Sequence, residues 1–174
     1  MLPIEAQLQQ AGLELVGYCN GLSHHAPQWR HDALLLEALS DAEADALGAL
    51  MPLVRAQPGQ VMIREGDLGD WMLLILSGTV DVTKKSEHDE TSRLAVIKKG
   101  AAVGEMSMLD AAPRYASCTA IEEVQAGVLT RATIAHLIQE HPKVGAKLLV
   151  KLTQLLAQRL RIASNQRVRL LQNP

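Results

Sequence analysis

Phenylalanine is absent from this chain, and two tryptophans (Trp29, Trp71) and two tyrosines (Tyr18, Tyr115) are its only aromatic residues. Leu, Val, Ile, Met and Ala must therefore fill the core. So few rings argue against a nucleic-acid binder that stacks bases on an aromatic platform. Cysteine is almost as scarce. Cys19 and Cys118 make neither a disulfide framework nor a metal-ligand pattern, so a reducing, cytoplasmic setting is expected. Long hydrophobic runs are missing too: the longest, Trp71 to Leu76, is far short of the ~20 residues that span a bilayer. The N-terminus has no basic segment leading into an apolar one, so neither a secretory signal nor a membrane association is expected.

Acidic residues also run out. After Glu140 there are none, while Lys143, Lys147, Lys151, Arg159, Arg161, Arg167 and Arg169 supply seven positive charges. The first 140 residues carry ten basic against nineteen acidic residues. Two readings of this asymmetry stay open: a basic arm for an acidic polymer, or the solvated face of a helix that offsets an acidic body.

What is present suits a globular protein. The 174 residues are 48% hydrophobic and 21% charged, enough for one domain with a modest appendage. Residues 1–31 read as an N-terminal extension. Pro3 to about Gly17 is expected to be helical on the spacing of Ile4, Leu8, Leu15 and Val16, followed by an irregular stretch from Cys19 to His31. Two short helices are expected near Asp32–Leu39 and Asp41–Met51, the second capped by Ser40 with Glu43 three residues on. From Leu53 to Thr130 the pattern changes to short Val-, Ile-, Leu- and Met-rich runs broken at Pro58-Gly59, Gly66-Asp67, Gly69-Asp70, Gly78, Gly100 and Gly104. Such punctuation predicts strands at Leu53–Ala56, Val61–Arg64, Trp71–Ser77, Thr79–Lys84, Leu94–Lys98, Ala116–Ala120 and Val124–Leu129. The fold class is thus mainly β with flanking helices, an antiparallel roll or jelly-roll barrel over residues 32–141. Thr133–Glu140 reads as a short helix. Pro142 opens a long one, residues 142–174, whose helix runs to about Leu171. Leu149, Leu152, Leu156, Leu160 and Ala163 line one side of it, and part of that stripe calls either for a second copy of the chain or for the chain's own body.

The stretch Gly104-Glu105-Met106-Ser107 to Pro113-Arg114-Tyr115-Ala116-Ser117 carries the chemistry. Gly104-Glu105 leaves a strand and enters a helical turn, whose first N–H groups favour an anion. Arg114 is the one side chain there that can clamp a phosphate with two N–H groups, and Glu105 can accept hydrogen bonds from a sugar hydroxyl. A surface Glu–Arg pair around a turn remains the other reading.

The same stretch resembles the phosphate-binding cassette of the cyclic nucleotide-binding domain family, whose pattern is Gly-Glu, two or three apolar residues, a short loop, then Pro-Arg-x-Ala-Ser/Thr. Glu65-Gly66-Asp67, Gly78 and Gly100 match the family's upstream glycine turns. The resemblance spans roughly Leu34 to Gln166. It implies that Glu105 binds the ribose 2'-hydroxyl and Arg114 the cyclic phosphate, with amides near Gly104, Ser107 and Ala116 completing the shell and Met106 against the nucleoside. Tyr115 stands where relatives often have Ala, Ser or Thr, and Thr there goes with cyclic GMP. The resemblance therefore implies cyclic AMP, with cyclic GMP left open. Val103 replaces a usual Phe. By likeness to the family's activators, Ala163 and Ser164 of the long helix fall where the base is touched, with Ser164 keeping a hydroxyl.

Those activators continue into a helix-turn-helix domain, whereas Pro174 follows Ser164 by ten residues, so sequence-specific DNA binding is not expected. The histidines (His24, His25, His31, His88, His136, His141) fall outside the expected strands and form no metal set, and no nucleophile–base pair stands out. The expectation is a non-enzymatic cyclic nucleotide sensor, homodimeric through helix 142–171, signalling to a downstream protein, with neither cofactor nor metal. The alternative is an assembly module whose pocket Tyr115 blocks.

Overall fold

The computed structural model describes residues 3–24, 34–86 and 88–172, the side chains of the last helix as far as Val168. The second half of the expected irregular segment, the 31/32 boundary and the start of the Asp32–Leu39 helix lie outside the described residues. Residues 34–38 form turns.

The chain runs α1 (Ile4–Gln10), β1 (Glu14–Tyr18), α2 (Asp41–Gly48), β2 (Pro52–Ala56), β3 (Val61–Ile63), β4 (Trp71–Ser77), β5 (Thr79–Lys85), β6 (Thr91–Lys98), β7 (Ala102–Val103), α3 (Glu105–Asp110), β8 (Ser117–Ala120), β9 (Val124–Thr130), α4 (Arg131–Glu140) and α5 (Pro142–Gln172). The strands form two sheets, ordered β1-β2-β9-β4-β7 and β3-β8-β5-β6, with every pairing antiparallel. Strand β6 begins earlier than expected, at Thr91, and the two-residue β7 was not expected, but the fold class and the seven expected strands agree with the sequence.

The N-terminus does not. The expected helix ends at Gln10, and residues 14–18 instead pair with β2 at the edge of the five-stranded sheet. Gly12 adopts φ 73°, a left-handed conformation that stops the helix and turns the chain back. Leu15 and Val16, read as a helical face, are sheet residues.

Two cores explain the pattern of hydrophobic residues. Trp71, Leu73 and Ile75 of β4 point between the sheets, where they meet Val54, Met62, Val80, Val103, Cys118 and Val128. Met72 and Leu74 point the other way, into a second core with Leu47, Leu137, Leu148 and Leu152 of the helices. A strand covered on both faces needs apolar residues at every position, hence the unbroken run that begins at Trp71. The Ser40–Glu43 capping box starts α2 as the sequence indicates: the Ser40 hydroxyl accepts from the Glu43 amide, and the Glu43 carboxylate from the Ser40 amide at 2.8 Å.

Helix α5 divides in two. Val144, Leu148 and Leu152 are buried against the body, and each buried Leu contributes ~2 kcal/mol. Lys147 donates to Glu43 and Lys151 to Glu37, so α2 and the segment before it hold the same half. Farther along, Leu160 and Ile162 are exposed. No helix among the described residues is long and apolar enough to cross a membrane.

Candidate nucleotide site

The site is built where the β3–β4 loop meets the segment between α3 and β8. Gly66 N–H donates to the Arg114 carbonyl (2.9 Å) and Arg114 N–H to the Asp67 carbonyl (2.8 Å). Glu65 N–H donates to the Ser117 hydroxyl at 3.0 Å. This backbone zipper fixes where the Arg114 side chain leaves the chain. The side chain turns inward and is only 4% exposed.

Three groups shape its slot. Nη1 donates to the Gly104 carbonyl at 2.8 Å. The guanidinium lies over the Trp71 ring, 4.5 Å from its centre. Gly69 leaves space that a side chain would occupy, since a Cβ there would come within 2.5 Å of Nη2. Gly104, at φ 85°, starts α3 in a conformation that suits glycine, and a Cβ on it would sit 2.9 Å from Nη1. Burial holds the Arg114 pKa below its ordinary value, and the Cys118 thiol and the carboxylates of Asp70, Asp67 and Glu105 oppose that shift. Nη2 is buried and has no hydrogen-bond partner.

Glu105, on the first turn of α3, is completely buried. Its Oε1 accepts from Arg159 of α5, whose second amino group donates to the Ala102 carbonyl of β7. Its Oε2 is buried and unpartnered. Two buried, oppositely charged side chains thus flank Gly104, each with one polar atom unsatisfied. Native structures rarely tolerate such atoms, because each carries the full cost of leaving water. A ligand with an anionic group and a hydroxyl answers both at once.

The remaining expected residues are placed as follows. Ser107 is buried, Met106 is exposed at the surface of α3, and Ala116 is half-buried beside Arg114. Tyr115 is 55% exposed. Lys84 lies 4.1 Å over it, donating also to the Tyr115 carbonyl (2.7 Å) and to Glu65 (2.9 Å). Ser164 is exposed on α5. Five residues separate it from Arg159, a rotation of ~140° about the helix. The residue that α5 delivers to the site is Arg159. A signal was available: Arg159 continues the buried positions 148 and 152 and the partly buried 155 at helical spacing, where an apolar residue belongs. Arg131 is the second unforeseen residue. Its Nε donates to the Met108 carbonyl at 2.7 Å, tying the end of α3 to the start of α4. Among the described residues no group of three or more His, Cys, Asp or Glu could hold a metal ion.

The cyclic nucleotide-binding domain family model matches residues 53–141, which contain both flanking charges. The chain belongs to the cyclic nucleotide-binding domain family. A cyclic nucleotide-binding domain from Methylobacillus flagellatus is 33% identical and superposes with a TM-score of 0.79, covering 88% of this chain and 86% of that one. A CRP-like cAMP-activated global transcriptional regulator from Mycobacterium tuberculosis is 31% identical over 107 residues, 62% of this chain and 46% of its own length. A cAMP-dependent protein kinase regulatory subunit from Yarrowia lipolytica is also 31% identical, over 60% of this chain and 27% of that protein. The chain thus spans less than half the length of these two curated relatives, which are named as regulatory proteins rather than enzymes.

Proposed function

We propose that the chain is a cyclic nucleotide receptor whose ligand is cyclic AMP. The observation that carries this reading is the pair of buried, unsatisfied atoms, Arg114 Nη2 and Glu105 Oε2, on either side of Gly104. The cyclic phosphate takes Arg114, assisted by amides around Gly104, Ser107 and Ala116. The ribose hydroxyl donates to Glu105 Oε2. Met106 lies against the nucleoside. Relatives whose names specify cAMP, together with Tyr115 in place of a threonine, favour adenine over guanine. The outward position of the Tyr115 ring under Lys84 supports an open site rather than a blocked one.

Signal leaves through α5. Arg159 holds one oxygen of the carboxylate whose other oxygen takes the sugar, so the helix and the ligand share Glu105. Ligand then favours the conformation in which the outer half of α5 is tied down, the differential contact that coupling requires. Val150, Ala157, Leu160, Ser164 and Val168 fall within ~80° of the helix circumference, on the side away from Leu148 and Leu152. A second copy of the chain packs there, with Ser164 in the seam, and a downstream protein reads the helix position.

Titration calorimetry with cyclic AMP, cyclic GMP and 5'-AMP tests the reading. Saturable heat with cyclic AMP, weaker with cyclic GMP and absent with the uncyclised nucleotide, supports it. No heat and no thermal shift with either cyclic nucleotide at millimolar concentration refutes it.

A further inference from the structure

Arg114 poses a physical problem that its burial makes acute. A guanidinium with 4% exposure sits among charges of the opposite sign, yet among the described residues no carboxylate pairs with it. Asp67 and Asp70 both act on it electrostatically. Asp70 is engaged elsewhere, accepting from the Gln7 side chain of α1 at 3.1 Å. Were either aspartate to close on Arg114, the cation would be neutralised before any phosphate arrived. What touches the guanidinium instead is neutral: the Gly104 carbonyl at 2.8 Å and the face of Trp71.

We infer that Trp71 is the positioning residue of the phosphate site. Its indole holds the Arg114 guanidinium in the binding-competent pose and leaves the positive charge free for an anion. An aromatic face attracts a cation through its quadrupole and carries no net charge. A ring therefore fixes the arginine without competing for it, which a carboxylate does not do. Trp71 itself cannot drift: it opens β4, is 5% exposed and packs in the core between the sheets. The sequence places Gly69, Asp70 and Trp71 in succession, so that one short segment supplies the space, the competing charge and the ring. When the ring weakens, the guanidinium spends more time paired with Asp67 or Asp70, and apparent affinity falls in proportion to the competent fraction.

This inference rests on the receptor reading above, and its test separates the two. In a Trp29→Phe background Trp71 is the only indole, and biosynthetic incorporation of monofluoro- and trifluorotryptophan weakens its quadrupole while preserving its shape. Calorimetry with cyclic AMP is expected to show Kd rising stepwise with fluorine number, by about tenfold across the series. That is 1.4 kcal/mol, within the range for desolvated cation–π contacts. Far-ultraviolet circular dichroism and the ligand-free Tm should stay constant across the series. Trp71→Leu should lose at least as much affinity. If the protein with ordinary tryptophan binds cyclic AMP and the fluorinated series shows a flat or falling Kd, Trp71 serves packing alone and the inference is overturned while the receptor reading stands. If the protein with ordinary tryptophan binds no cyclic nucleotide, both are overturned.

Discussion

Replacing Arg114 with methionine should separate binding from folding more sharply than any other single change. In the wild type the guanidinium is buried against a carbonyl and an indole face, with no carboxylate paired to it among the described residues. Met keeps an unbranched apolar stem against Trp71 and removes the charge. The ligand-free protein then loses a charge-assisted hydrogen bond of ~1.5–3 kcal/mol and a cation–π contact of up to ~2 kcal/mol. It also escapes the desolvation of a buried cation, several kcal/mol after relaxation. These contributions nearly cancel, leaving the variant within ~1 kcal/mol of wild type. For a domain of this size that is a change in Tm of ~2–4 °C, in either direction. Binding has no such cancellation, because the phosphate is left without its clamp. Truncating one partner of a buried charged pair costs ~2–5 kcal/mol, so affinity for cyclic AMP should fall by ~30-fold to several thousand-fold. Differential scanning fluorimetry without ligand and calorimetry with it measure the two quantities on one preparation. A ligand-free Tm lowered by ~10 °C would make Arg114 a structural residue, and an unchanged Kd would remove it from the site.

Other perturbations test neighbouring parts of the account. Arg159→Ala leaves the Glu105 carboxylate buried with neither oxygen paired, so it should lower ligand-free stability by ~3 kcal/mol and uncouple α5 from ligand. Hydrogen exchange in residues 153–168 that slows on cyclic AMP addition in the wild type but not in the variant checks this. Gly69→Ala places a methyl against the guanidinium at a position without positive φ, so calorimetry should show weaker cyclic AMP binding, by about tenfold, with little change in fold. Hydrogen bonds and charge from Lys147, followed by the Ser40 amide, hold the Glu43 carboxyl below its ordinary range. A depressed folded-state pKa gives stability that is present above the unfolded value and lost as pH falls through the folded one. The Tm gap between wild type and Glu43→Gln should accordingly be open at pH 7 and close in acid; a gap independent of pH would contradict the assignment.

Most strands were legible because the β segment alternates apolar runs with obligatory turn residues, and because β4 is buried on both faces and cannot contain a polar break. Ser40 and Glu43 announced α2 through capping chemistry that is local in sequence. The N-terminal strand was not legible. Leu15 and Val16 fit a helical spacing equally well, and the deciding fact is pairing with β2, some forty residues away. Strand β7 is two residues long and exists only through its pairing with β4. At the site, Glu105 and Arg114 were visible because they share one short cassette. Arg159, Trp71 and Gly69 were not singled out, because their contribution is made of contacts between segments distant in the chain. Along a long helix a register slip of a few residues turns a side chain to the opposite side, and packing at Leu148 and Leu152 is what fixes the rotation of α5.

The account stands on one carboxylate oxygen and one guanidinium nitrogen receiving the sugar and the phosphate of the same ligand. Calorimetry comparing cyclic AMP with 2'-deoxy cyclic AMP, in wild type and in Glu105→Gln, addresses that directly. The account predicts tight binding only for the wild type with the intact ribose, with loss of the hydroxyl and loss of the carboxylate costing similar amounts and the two together little more. Equal affinity for both nucleotides in the wild type, or fully additive losses, would contradict it.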